Sequence, residues 1–314
     1  MNSSSPFARA QGFDDVLVPY NLLMNLAMAY SVIKVTDPAT AHLGIYDARQ
    51  LESVYYGDTL AGETIIEEVK RKEGKHDVAS TRHLLKRVSD GKIVFSLLKK
   101  TMFPEGSFPD SSETCNNLNL PSTSSFQESV VKNIKPELLI KNQPLKQSEV
   151  YSHRMVKVYD AFEFGPLFTL LKVVNSHHTN HVQYRWEDLL ASGPTVVTGS
   201  LANLMLDFGE IVQWHIQESV NLNRVNRGDL ISSVTHIDSC GPVKGSNGLE
   251  EVTATIVGLK NITPDDIKEI QIPQSVFGPI QRPRVYEKIC AEECISLYHS
   301  IACITKVKFL RPIA

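Results

Sequence analysis

At 314 residues, with 42% hydrophobic and 21% charged residues and a formal net charge of −3, the chain has the balance of an ordinary globular protein, with no global pull towards nucleic acid or anionic lipid. No apolar run approaches the ~20 residues that span a bilayer, and Met1 to Phe13 lacks the basic start and apolar core of a signal peptide, so the sequence predicts an intracellular protein, cytoplasmic or in an organelle matrix. The five cysteines, Cys115, Cys240, Cys290, Cys294 and Cys303, include no C-x-x-C pair, which predicts free thiols rather than a disulfide framework or structural zinc.

The first element in chain order lies within Gly12 to Val32, a loop feeding an apolar segment whose Leu22, Leu23, Leu26, Ala27 and Tyr30 recur at helical spacing and predict one buried face. Gly57-Asp58 then opens an alternating strand in VYYGDTLAGETIIEEVKRKE, and Gly74 in EEVKRKEGKH marks a solvated hairpin turn. From Pro104 to about Gln147 the composition turns to Ser, Asn, Pro and Thr, too poor in large apolar side chains to offset its ordering entropy. The expected organisation is an N-terminal unit, 1–103, a linker, 104–149, with Leu138 to Ile140 docking on a domain, a C-terminal unit, 150–272, and a tail, 273–314, read as a short helix plus strand.

The C-terminal unit repeats the order of the first. An apolar helix in SGPTVVTGSLANLMLDFGEIV (Ser192 to Val212) is followed by Gly228-Asp229, which opens a strand, and LEEVTATIVGLKN is its hairpin partner. Helix, Gly-Asp strand and strand thus occur twice, which favours duplication over coincidence.

Ahead of the second helix, NSHHTNH places His177, His178 and His181 within five residues. His177 and His181 stand at i, i+4, but the glutamate of H-E-x-x-H is missing and no Cys/His cluster offers a third ligand, so no metal is predicted. Asn180 reads as a cap for the following turn. Trp186 and Trp214 read as packing residues. Neither G-x-x-x-x-G-K-[ST] nor G-x-S-x-G occurs.

These residues resemble the MaoC-like family of acyl-CoA hydratases and dehydratases, whose G-D-x-N-P-x-H segment is followed by a variable loop and a G-x-x-V-x-G turn into a central helix. His181 matches the family histidine, and Gly193, Val196, Val197 and Gly199 fall at the downstream spacing, with Gly199 eighteen positions after His181. RGDLI (Arg227 to Ile231) and VYYGDTLAGETII resemble the strand that follows the helix in each unit, and the nearest likeness is to two-domain members that hydrate branched dicarboxylic acyl-CoAs, such as mesaconyl-CoA hydratase. The match covers about two thirds of the chain. It implies an α+β double hot-dog fold, two units that each wrap an antiparallel curved sheet around a long apolar helix.

The resemblance further implies an acyl-CoA substrate, no cofactor apart from the CoA of that substrate, no nucleic-acid partner, no membrane span, and room for a homodimer. His181 would carry acid/base work, since its reference pKa near 6.5 leaves both protonation states accessible. Ser176 or Asn175 would hold water where the family keeps an acidic or amide partner, and the N–H of Gly199 would polarise the thioester oxygen. Arg185, Arg224 and Arg227 are candidates for the CoA phosphates. The first unit begins about where its catalytic loop should end and brings no histidine of its own there, so it is expected to cradle substrate. A degenerate hot-dog protein that binds without turnover is the alternative, and a thioesterase using Glu187 or Asp188 is a third reading.

Overall fold

The computed structural model describes residues 1–31, 39–71, 74–108, 120–121, 124–140, 143–160, 175–246, 248–293 and 295–313. The chain divides into two compact units, Met1–Lys135 and Pro136–Ala314.

In the first unit, α1 (Ser5–Ala10) is capped by the Ser4 hydroxyl, which accepts from the Phe7 N–H at 3.4 Å. Helix α2 (Tyr20–Ser31) follows Pro19 and carries no charged residue. Its most buried stripe is Tyr20, Leu23, Met24, Ala27 and Met28, whereas Leu22 and Leu26 are half-buried and Tyr30 is exposed. The face expected from sequence is therefore rotated. With so few polar residues the helix is apolar nearly all round, and tertiary packing rather than periodicity selects its deepest side.

Under α2 lie β1 (Ala41–Gln50), β2 (Leu60–Lys70), β3 (His76–Arg87) and β4 (Ile93–Pro104), in the antiparallel order β2-β3-β4-β1. Gly57-Asp58 lies one residue ahead of β2, and Gly74, with φ of 67°, lies in the β2–β3 connection as the sequence predicts. Helix α3 (Ser125–Asn133) falls within the stretch of linker-like composition, yet it buries Phe126 and Val130. The Phe126 ring packs 6.1 Å from that of Phe13, and its N–H bonds to the Leu51 carbonyl at 3.0 Å. That stretch thus supplies a packed helix to the first unit. Two apolar anchors suffice where the surrounding sequence is polar.

The second unit contains β5 (Val150–Ser152), β6 (Lys157–Val158), α4 (Ser176–Thr179), α5 (Gly193–Ala202), α6 (Met205–Phe208), β7 (Gln213–Asn221), β8 (Leu230–Pro242), β9 (Leu249–Lys260), α7 (Pro264–Ile267), α8 (Pro283–Glu293), α9 (Ile295–Ser300) and β10 (Ile301–Pro312). Its strands run antiparallel in the order β7-β10-β9-β8-β5, with β6 also on β8. The last stretch of sequence therefore provides the strand between β7 and β9, not an appendage.

Helix α5 packs on β8, β9 and β10. A Cβ on Gly258 would come within 2.4 Å of Ser200 Oγ, and the Ser233 hydroxyl donates to the Ser200 carbonyl at 3.1 Å, so Gly258 and Ser233 face α5. Their neighbours Val234 and Val257 point to the opposite face. There they form a second core with Leu259, Ile304, Ile267, Val276, Phe277, Tyr286, Cys290 and Leu297. The connection between β9 and β10 thus covers the sheet's outer face with α7, α8 and α9. Among the described residues no helix is long and apolar enough to cross a membrane.

Candidate active site

The start of α5 is built from the sequence Ser192-Gly193-Pro194-Thr195. Ser192 is extended (φ −72°, ψ 141°), and Pro194 sits in the first helical turn, where its fixed φ fits and its missing N–H costs no bond. The Ser192 hydroxyl makes no backbone cap; it pairs with Thr195 Oγ1 at 3.0 Å, and that hydroxyl donates to the Ser192 carbonyl at 2.7 Å. By helix geometry the N–H groups of Gly193 and Thr195 have no i−4 acceptor, and the Ser192 side chain does not cap them. They stand at the positive end of the helix dipole.

Gly199 is not at this end. It is the seventh residue of α5, its N–H belongs to the helix ladder, and an added Cβ would lie 2.5 Å from the Tyr159 hydroxyl. The sequence expectation that Gly199 begins the helix is corrected by six residues: Gly193-Pro194 starts it, and Gly199 is small so that Tyr159 can approach and donate to the Thr195 carbonyl at 2.6 Å.

The loop before α5 is tied to it by short helix α4. The Leu190 N–H bonds to the His177 carbonyl at 2.9 Å, and His178 Nδ1 lies 2.9 Å from the Leu190 carbonyl. A carbonyl only accepts, so Nδ1 carries a hydrogen and donates it to Leu190. His178 is half-buried. His177 is exposed with its ring centroid 5.1 Å from that of Tyr184, and His181 is exposed on a turn, its ring centroid 6.2 Å from that of Trp186 in an edge-on arrangement.

The other sequence candidates fall into two groups. Asn175 and Ser176 act through their carbonyls, Asn175 accepting from the His178 N–H at 3.0 Å and Ser176 from the Asn180 N–H at 2.9 Å; the Asn175 side chain makes no cap. Asn180 caps the next turn as expected, its Oδ1 accepting from the N–H groups of Val182 and Gln183 at 3.1 Å each. Arg227 stacks 3.6 Å over the exposed Trp186 ring, which also meets His181, so these three form one surface cluster. Arg185 pairs with Asp188 at 2.9 Å and Glu187 at 3.5 Å. Arg224 is exposed and is not brought into this cluster; its carbonyl accepts from Lys260 Nζ at 2.8 Å. Trp214 is buried, tilted against Phe309 at 5.4 Å.

Two features were not read from the sequence: the anchoring of the His178 ring through Nδ1, and the helix start at Gly193 that the Ser192 side chain leaves uncapped. The second was signalled by Pro194, a helix-start residue read there as part of a turn. The first had no local signal, because its partner is a backbone carbonyl twelve residues on.

Comparison with solved structures gives the architecture a name. A MaoC-domain dehydratase from Chloroflexus aurantiacus J-10-fl superposes with a TM-score of 0.77 at 15% identity, covering 100% of this chain and 87% of that one. Rv0216 from Mycobacterium tuberculosis, described as a double hot-dog fold, gives 0.64 at 15% identity over 99% and 86%. The fold is the double hot-dog. A further MaoC-like dehydratase gives 0.61 at 10% identity over 99% of this chain and 88% of that one. No family model and no curated protein matches the sequence. In double hot-dog terms, α2 and α5 are the two central helices, and α7, α8 and α9 cover the outer face of the second sheet.

Proposed function

We propose that this double hot-dog protein hydrates an enoyl thioester, or dehydrates the corresponding 3-hydroxyacyl thioester, with CoA as the thiol carrier and the chemistry placed in the second unit. The likeness to MaoC-like dehydratases supports this class of reaction. The observation that carries it is the start of α5, which the Ser192 side chain leaves uncapped, next to a histidine loop hydrogen-bonded to the same approach segment. In the forward direction a base takes one proton from water, the hydroxyl adds to C3, and a proton is delivered to C2 as charge builds on the thioester oxygen. Two donors at Gly193 and Thr195 suit that oxygen. A histidine whose ring is anchored through Nδ1 to a backbone carbonyl suits the proton work on water.

Spacing favours His181 as the base; local geometry favours His178, whose ring is held by Leu190. Asn175 and Ser176 would orient water, and Arg185 and Arg227 would meet the CoA phosphates. A branched or dicarboxylic acyl chain is the finer proposal.

The test is loss of enoyl-CoA absorbance for the wild type and for the His177→Ala, His178→Ala and His181→Ala variants. His178→Ala should lower kcat about 10²–10⁴-fold, the usual worth of a positioned acid/base, with the other two near wild type. A selective loss in His181→Ala transfers the role to His181. Full activity in all three rejects the site.

One observation favours a second reading, binding without turnover: Glu187 and Asp188, the carboxylates of the described loop, are both paired with Arg185. In that case a CoA thioester binds but yields neither hydration nor free thiol.

A further inference from the structure

Strand β4 alternates Phe95, Leu97, Lys99, Thr101 and Phe103 on one face, and all five are buried. Two contacts identify this as the face beneath α2. The Tyr20 ring lies 5.4 Å from that of Phe95, and Gly62, in register with Leu85 and through it with Phe95, lies directly against the Tyr30 ring. Lys99 therefore occupies a position that strand patterning assigns to an apolar residue, with 6% of its surface exposed.

Among the described residues no acceptor reaches its ammonium. Helix α2 has no charged side chain, and β2 presents Gly62, Thr64 and Ile66 to this face. In register beside Lys99 are Thr81 on β3 and Ile45 on β1; one step along, Thr101 lies between Ala79 and His42, and its hydroxyl is buried without a partner. The two histidines are neutral donors and acceptors, not counter-ions. His83 bonds the Thr64 hydroxyl through Nδ1 and the Thr81 hydroxyl through Nε2, both at 3.0 Å, and His42 Nε2 donates to the Gly44 carbonyl at 3.1 Å. Burial first, then the charge of Lys99, disfavours protonation of both. Asp77 is the carboxylate that β3 offers on this face, but it stands four residues from Thr81, roughly 13 Å along the strand, beyond ion-pair reach. Among the described residues, then, the Thr101 hydroxyl is buried without a partner one residue pair from a largely buried, unpaired Lys99, and a desolvated cation beside an orphan hydroxyl is costly to the fold unless something pairs with them.

We propose that Lys99 and Thr101 form a buried site for a small aliphatic carboxylate. The ammonium pairs with the carboxylate, the Thr101 hydroxyl donates to it, and the chain lies among Leu97, Phe103 and the apolar residues of α2. A single cation sets the charge of the ligand: a monoanion neutralises it, whereas a phosphate dianion leaves net negative charge buried. This site lies in the first unit and does not depend on the thioester reading. Burial holds the Lys99 ammonium down to about 8, so binding should weaken as pH rises through that value.

The experiment titrates the full chain with butyrate, with butyramide as the uncharged analogue and with inorganic phosphate, reading melting temperature and heat of binding. Butyrate should raise the melting temperature saturably, and butyramide should not. Lys99→Met should be more heat-stable than the wild type without ligand and should bind butyrate at least about tenfold more weakly. Thr101→Val should show a smaller loss, and Lys99→Gln gives the same readout where Lys99→Met yields no folded protein. Butyrate binding retained in the Lys99 variants, equal binding of butyramide, or no saturable butyrate binding overturns the proposal. Stronger binding of phosphate than of butyrate overturns it too, by assigning the site to a dianion.

Discussion

At the residue scale, Gly199 shows how a glycine can be read correctly as special and wrongly as to purpose. Its spacing from His181 suggests a helix start, but its environment is the Tyr159 hydroxyl, the nearest atom an added Cβ would meet; the next, Tyr159 Cζ, is 3.5 Å away. The clash is thus confined to one oxygen. Gly199→Ala should lose about 1–3 kcal/mol through overpacking, less a small gain in helix propensity. Tyr159→Phe should lose about 1 kcal/mol with the bond to the Thr195 carbonyl. The double variant removes the obstructing oxygen, so its cost should fall below the sum of the two. Urea denaturation of the three variants measures the coupling, and strict additivity would show that the helix–tyrosine contact is not what excludes a side chain at 199.

At the element scale, the parts legible in the sequence are those with strong local chemistry. The Gly-Asp pairs precede β2 and β8, and β8 pairs with β9 as the hairpin pattern predicts. What was not legible depended on partners distant in sequence. Helix α3 is specified by Phe126 and Val130 finding a core, not by composition. The placement of β10 between β7 and β9 joins residues some forty to a hundred positions apart in register, such as Cys303 with Gly258 and Asn221. The outer cover of the second sheet follows the same rule: α8 gains its place through Tyr286 and Cys290, both fully buried among Val257, Leu259 and Ile304. Tyr286 also accepts the Gln281 N–H at 3.1 Å, which fixes the entry to α8. Tyr286→Ala should therefore cost about 3–5 kcal/mol, the range for deleting a buried aromatic. Hydrogen exchange of α8 and α9 should accelerate most. An effect below about 1 kcal/mol would mean that these helices are not part of the second unit's cooperative core.

At the scale of the whole molecule, the buried bases set how stability responds to pH. Burial lowers the pKa of His42 to about 3, pushes His83 well below its ordinary value, and lowers His153, whose Nδ1 meets Asp207 at 3.0 Å and Nε2 meets Thr235 at 2.8 Å. In the unfolded chain each would titrate near 6.5. Below that value the unfolded state binds more protons than the fold, so stability must fall as pH falls, with a slope of about 1.4 kcal/mol per pH unit for each histidine until its folded pKa is passed. The Asp207 carboxyl, opposed by burial but held below its ordinary value by His153 and Arg154, adds its loss only under still more acid conditions. Lys99 acts at the other end. Its ammonium titrates at about 8 in the fold and at 10.5 unfolded, so the fold binds fewer protons across that window and stability rises with pH. Two-sided behaviour is thus expected: a decline from about pH 6.5 downward in both units, and a gain from about pH 8 to 10.5 in the first. Both tryptophans, Trp186 and Trp214, belong to the second unit, so their fluorescence reports that unit while far-ultraviolet circular dichroism reports both. Denaturation midpoints measured by the two probes should fall together towards acid, and the alkaline gain should register in circular dichroism and vanish in Lys99→Met. A flat midpoint between about pH 4 and 6.5 would contradict the neutral state of the three histidines, and an alkaline gain retained by Lys99→Met would remove Lys99 as its source.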